Sequence, residues 1–206
     1  MGVSFVSLQG AGLKRVYVTI AFLTVIAVIL GIGAWILRSC PVRYFESFED
    51  GFGKWIVDAD VPEDPNNPGQ PVEWHISRNF GISRSGQNSL EFFVDGQQDD
   101  GAIWIETKIV VGKRSNIRVS FWLYSEYESF NTLATVCAYI GVKNPEAEAD
   151  FQVIGAANEV AGWKHYEYST VFNLDLSGEL WIAVGISVCW ETYLTYYVDD
   201  VEVEIS

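Results

Sequence analysis

Ile117-Arg118-Val119-Ser120-Phe121-Trp122-Leu123-Tyr124 alternates strictly between two kinds of side chain. Successive side chains of an extended chain point to opposite sides, so Ile117, Val119, Phe121 and Leu123 share one face. Arg118, Ser120, Trp122 and Tyr124 share the other. Helical spacing would scatter the four apolar residues around a cylinder. The stretch from Leu180 to Val188 repeats the pattern, with Leu180, Ile182, Val184, Ile186 and Val188 opposite Trp181, Ala183, Gly185 and Ser187. Both read as strands with one face against a core.

Similar runs recur outward from these two. Residues 89–94, 102–111, 116–125, 133–142, 151–155, 163–172, 179–190 and 196–205 are rich in Val, Ile, Tyr, Phe or Trp, and Gly, Asp, Asn or Ser bound them. Residues 60–71 hold four of the six prolines. A segment with so few backbone donors cannot be a helix or a central strand, and reads as an exposed loop. Eight or nine short strands without a helical pattern between them predict an all-β domain of two packed sheets.

The N-terminal region is of another kind. Residues 16–37 form a 22-residue run without a charge, with Lys14 and Arg15 before it and Arg38 after it. As a helix it would extend about 33 Å at ~1.5 Å per residue, against a hydrocarbon core of roughly 30 Å. Tyr17 and Trp35 sit where interfacial aromatics belong. The expected layout is a short head over 1–15, a transmembrane helix over 16–38 and an extracellular domain over 39–206. The bilayer is then a partner through residues 16–37, and the protein a single-pass surface protein of the cell membrane. Basic residues near the two ends are nearly balanced, so the orientation with the C-terminal domain outside rests on the signal-anchor pattern. Leu37-Arg38-Ser39-Cys40 partly resembles a lipoprotein box, but Arg38 stands where a small residue is expected and the run exceeds a signal peptide's apolar core.

Charge separates the two parts. All 27 acidic residues lie at or after Glu46, whereas Lys14, Arg15 and Arg38, three of the 13 basic residues, belong to the anchor and its edges. So acidic a domain repels phosphate backbones, which excludes nucleic acid as a partner, and the same charge favours solubility. Cys137 and Cys189 allow either one disulfide or two free thiols, with Cys40 left over. No Asn-x-Ser/Thr acceptor occurs.

Three local patterns carry a resemblance. Phe48-Glu49-Asp50-Gly51-Phe52-Gly53-Lys54-Trp55, Ser85-Gly86-Gln87-Asn88-Ser89-Leu90 and Tyr196-Tyr197-Val198-Asp199-Asp200-Val201 follow one another in this order. They resemble the opening strand, mid-domain turn and closing strand of jelly-roll carbohydrate-binding modules and related extracellular adhesion domains. The resemblance covers nearly the whole outer domain and implies a two-sheet jelly-roll sandwich that binds glycans or another surface component. It also implies a structural calcium where the first and last strands meet, held by Glu49 and Asp199 with the backbone at Gly86. Periodicity lends support, because Asp199 falls in the set Tyr197, Val201, Val203, Ile205 and a core-facing carboxylate requires a partner. Backbone N–H groups are the alternative partner.

Aromatic faces stack on the C–H faces of sugar rings. Arg118, Trp122 and Tyr124, on the face opposite the apolar one, are therefore the first ligand candidates, with Trp190 and Tyr193 in the turn before the last strand. Trp104 and Glu106 pair in the same way on a neighbouring strand. Catalysis finds little support: only His75 and His165 occur, and no nucleophile elbow, metal-ligand pair or phosphate loop is present. Glu146, Glu148 and Asp150 alternate as glycosidase carboxylates do, but they follow Asn144-Pro145 and read as an acidic loop. The rival expectations are a non-catalytic assembly protein of a cell or viral envelope and, more remotely, a glycoside-acting enzyme.

Overall fold

The computed structural model describes residues 17–30, 41–112, 114–173 and 178–206. The chain divides into two units, Met1–Pro41 and Val42–Ser206. In the first unit, residues 17–30 form a helix with every side chain exposed, about 21 Å long at ~1.5 Å per residue. Among the described residues no helix is long and apolar enough to cross a membrane. The remainder of the expected span, the 1–15 head and Cys40 lie outside the described residues.

The second unit is a sandwich. Its strands are β1 (Val42–Glu46), β2 (Ile56–Asp60), β3 (Trp74–Phe80), β4 (Asn88–Asp95), β5 (Ala102–Val111), β6 (Arg114–Ser125), β7 (Ala134–Gly141), β8 (Gln152–Ala156), β9 (Gly162–Asn173), β10 (Gly178–Val188) and β11 (Tyr193–Ile205). One sheet runs β3-β4-β11-β6-β9, with β1 added to β11, and the other runs β2-β5-β10-β7-β8. Nearly every neighbour in these lists is distant in sequence, so consecutive strands alternate between layers as a jelly roll requires. The alternation read from the sequence sets the core. Leu90, Phe92, Ile117, Phe121 and Leu123 of the first sheet meet Ile103, Ile105, Leu180, Ile182 and Ile186 of the second, all essentially inaccessible. Each such side chain contributes about 1.5–3 kcal/mol on burial. Cys137 and Cys189 are free thiols.

β11 departs from the even alternation expected of it. Leu194, Tyr196 and Val198 face the core before Asp199, and Val201 and Val203 after it. The face switches because the β6 pairing shifts register between Asp199 and Glu202, where Asp200 adopts a left-handed φ of 51°. One extra residue in a strand turns every later side chain over. Tyr197 therefore lies on the outer face, not in the core set with Val201.

The second sheet's outer face is roofed. Trp104 is 0% exposed and Glu106 1%, so this pair is scaffold and not a ligand platform. The segment between β7 and β8 crosses over them. It carries a 3-10 turn, Glu148–Asp150, and Phe151, whose ring lies 4.9 Å from that of Trp104 and 6.0 Å from Tyr139. Ser187 Oγ donates to Glu148 Oε1, and the Glu148 N–H donates to Asp60 Oδ2 at 2.9 Å. Gly185 stands opposite Trp104 in the ladder. A Cβ there would lie 2.3 Å from the Ile103 carbonyl oxygen and 2.7 Å from Trp104 Cβ, so the indole's close approach requires glycine. The acidic 146–150 stretch expected as a loop is thus a strap tied to the sheet by Glu148 and Phe151, its own residues exposed or half-buried.

Beneath the strap, Trp104 Nε1–H donates to Glu106 Oε2 at 2.8 Å. Burial pushes the Glu106 carboxyl above its ordinary value of 4.5, and Asp58 and Glu146 push it further. The folded state therefore holds the Glu106 proton more tightly than the unfolded chain. Its stabilising contribution is complete below pH 4.5 and declines as pH rises through the folded value. Glu106→Gln keeps an acceptor for Trp104 and cannot ionise. Thermal melts should show the variant more stable than wild type at pH 7, with the difference gone near pH 4. A wild type more stable at pH 7 would contradict this.

Candidate functional site

Among the described residues, none lies across the outer face of the β3-β4-β11-β6-β9 sheet in this way. Its central row follows from register: Glu91 on β4 pairs with Tyr197 on β11, Tyr197 with Tyr124 on β6, and Tyr124 with Trp163 on β9. Tyr124 lies 6.0 Å from Tyr197, edge to face, and 5.4 Å from Trp163. These spacings match the packing that aromatic quadrupoles favour. The row above carries His75 and Phe93, stacked at 5.0 Å, and Tyr193, 6.3 Å from Phe93. The row below carries Trp122 and His165 at 5.2 Å. Eight rings thus form a belt diagonally across five strands. Trp122, Tyr124, Trp163, Tyr197 and Phe93 are half-buried, and His75, His165 and Tyr193 are exposed.

Polar groups line the belt. Glu91 Oε1 lies 3.2 Å from His75 Nε2, and Glu91 Oε2 accepts from Asn79 Nδ2 at 3.1 Å. Burial and the neighbouring Glu91 carboxylate hold the Tyr197 hydroxyl's pKa above its ordinary value, so it stays a neutral donor at physiological pH. Beside Tyr193 a hollow of about 220 Å³ opens between Ser125, Tyr127, Leu133 and Tyr196.

The expected ligand residues are brought together only in part. Trp122, Tyr124 and Tyr193 (62% exposed) join the belt. Trp190, 54% exposed, lies in the β10–β11 turn. Arg118 sits lower on the face in a cross-strand ion lattice, 3.2 Å from Glu204, 3.6 Å from Glu167 and 3.9 Å from Glu202, which Arg43 joins. Phe93, Trp163, Tyr197 and His75 were missed. Their strands were legible except for β3, but only register shows which residues become neighbours.

The residues expected to hold calcium form a hydrogen-bonded clasp. Asp199, 0% exposed, accepts the Arg84 N–H at 2.7 Å and the Ser85 N–H at 3.1 Å on Oδ2, and the Asp200 N–H at 2.7 Å on Oδ1. Glu49 Oε1 accepts the Gln87 and Asn88 N–H groups at 2.9 and 2.8 Å, and Oε2 accepts from Asn88 Nδ2 at 3.1 Å. These donors hold the Glu49 carboxyl below its ordinary range. Burial pushes Asp199 upward, against its three N–H donors. Gly86, at φ 62°, gives Glu49 room, since a Cβ there would lie 2.4 Å from Oε1. The two carboxylates thus grip the 84–88 turn from both sides. N–H groups are the partners these two carboxylates have here, the alternative to a cation that the sequence left open. Among the described residues, no three His, Cys, Asp or Glu side chains gather into one cluster.

No family model and no curated protein matches the chain. Solved structures do. The CBM22-1–CBM22-2 tandem of Paenibacillus barcinonensis Xyn10C superposes with a TM-score of 0.50 at 16% identity, over 79% of this chain and 50% of that one. This chain therefore spans about half the tandem's length. The single CBM22-1 xylan-binding domain of the same protein gives 0.48 at 14% identity, over 79% and 92%. The K3 adhesin domain of Lys-gingipain from Porphyromonas gingivalis gives 0.49 at 11% identity, over 80% and 99%. What the 0.50 likeness shows is the fold: the second unit is an all-β two-sheet jelly-roll sandwich.

Proposed function

We propose that the chain is a membrane-tethered, non-catalytic binding module that takes a polysaccharide along the outer face of the β3-β4-β11-β6-β9 sheet. The observation that carries this reading is the contrast between the two outer faces. One is sealed by the strap over Trp104, and the other leaves eight rings within reach of solvent, bordered by hydrogen-bonding groups. Half-buried aromatics have fixed orientations, so a stacked sugar costs little side-chain entropy. The charge-free run over 16–37 supports a tether with the sandwich outside the cell. The clasp serves this function without calcium in our reading.

Affinity electrophoresis of the full chain in detergent, through gels holding soluble polysaccharides, tests the proposal. Retardation by at least one polymer is expected. Tyr124→Ala and Trp163→Ala should each weaken it by about tenfold, the effect of removing a central aromatic contact. Retardation unchanged in both variants would remove the face from consideration.

The rival reading, an envelope assembly protein, draws on exposed Val42, Tyr44 and Phe45 along β1, next to a cleft of about 460 Å³. It requires concentration-dependent self-association in place of glycan binding.

A further inference from the structure

Arg84 is held on the belt by the clasp. Its backbone N–H is fixed by buried Asp199 at 2.7 Å, and the next residue by both Asp199 and Asp200, with Ser85 Oγ donating to Asp200 Oδ1 at 2.5 Å. Asp199 stands opposite Trp122 in the β11–β6 ladder. The β11 bulge thus aims one carboxylate at the turn and sets the turn beside that indole. The guanidinium carbon then lies 4.3 Å from the centre of the Trp122 ring, within cation–π range. In a chain with 27 acids and 13 bases, an exposed arginine would ordinarily find a carboxylate, as Arg43 and Arg118 do. Among the described residues the Arg84 guanidinium has no ion pair and no hydrogen-bond acceptor. Its planar fork of donors is unspent, while its orientation is set by the ring beneath it.

We infer that Arg84 is a specificity-determining residue that pairs with the carboxylate of an acidic sugar, so the polysaccharide bound along the belt carries uronate groups. A carboxylate matches the guanidinium fork with two parallel N–H···O bonds, which a single hydroxyl cannot do. The neighbouring rings Tyr124 and Trp163 carry the stacking, and Arg84 selects among polymers. The chain's net negative charge opposes a densely charged polyanion at long range, but beyond about 8 Å this repulsion is screened at physiological salt. A polymer with sparse uronates suits both facts. The inference rests on the glycan-binding reading of this face.

The test uses the full chain in detergent with glucuronoxylan, polygalacturonate and alginate. Each is paired with the same polymer after its carboxylates have been reduced to alcohols. Wild type should bind the acidic member of at least one pair about tenfold more tightly. Arg84→Gln should erase that difference, so that both members of the pair bind alike, and Arg84→Lys should restore part of it. Equal binding within every pair, or a preference that survives Arg84→Gln, overturns the inference. If polymers bind equally within pairs and Tyr124→Ala abolishes that binding, the glycan reading stands and only the role of Arg84 falls. If no polymer is retained, both fall.

Discussion

Asp199→Ala should cost the domain about 3–5 kcal/mol, because it leaves three backbone N–H groups, two in the β3–β4 turn and that of Asp200 in β11, without their acceptor. Asp199 itself is wholly inaccessible, so the truncation also leaves a void between these donors and the core. For a domain of this size that loss lowers the melting temperature by on the order of 10 °C. Asp199→Asn should fall between the two, because the amide retains one acceptor oxygen and turns an NH2 group towards a donor. Differential scanning calorimetry reads both. Wild-type melting should not respond to EDTA or added Ca²⁺, since backbone donors occupy the carboxylates. A calcium-dependent upward shift would restore the ion to the clasp and contradict the hydrogen-bonded account.

Trp104→Ala should be comparably damaging, by about 3–5 kcal/mol. The indole fills the space between Gly185, Ala183 and Phe151, and its N–H is the donor to a nearly inaccessible Glu106 carboxylate. Truncation opens a cavity under the strap and leaves that carboxylate beside Asp58 and Glu146 with less compensation. The loss should be larger at pH 7 than at pH 4, where Glu106 carries its proton. Denaturant titration at the two pH values measures this. A cost below about 1 kcal/mol would mean that the strap does not seal the face.

These two sites show how far the sequence reaches. Period-two alternation in 117–124 and 180–188 identified strands, the face that enters the core and hence the two-layer fold. The strands β1, β2 and β3 escaped notice because they are short and polar on one side, as in His75, Ser77 and Asn79. Asp199 was legible as a carboxylate needing a partner. Its surroundings were not, because one left-handed residue, Asp200, breaks the alternation and turns Tyr197 outward. Trp104 and Trp122 have similar strand contexts in sequence. One is sealed and the other reaches solvent because a connection 40 residues downstream lies across the first, and such long-range cover leaves no local periodic signal. Arg84 gave none either, since its position over Trp122 depends on the bulge, the clasp and the ladder together.

The central claim is that ligand meets the β3-β4-β11-β6-β9 face. Backbone amide NMR of the full chain in micelles, titrated with a retained oligosaccharide, tests it most directly. The account expects the largest shifts at Phe93, Trp122, Tyr124, Trp163, Tyr193 and Tyr197, with residues 142–151 and β2 unmoved. Shifts concentrated in the strap and the β2-β5-β10-β7-β8 sheet would contradict it.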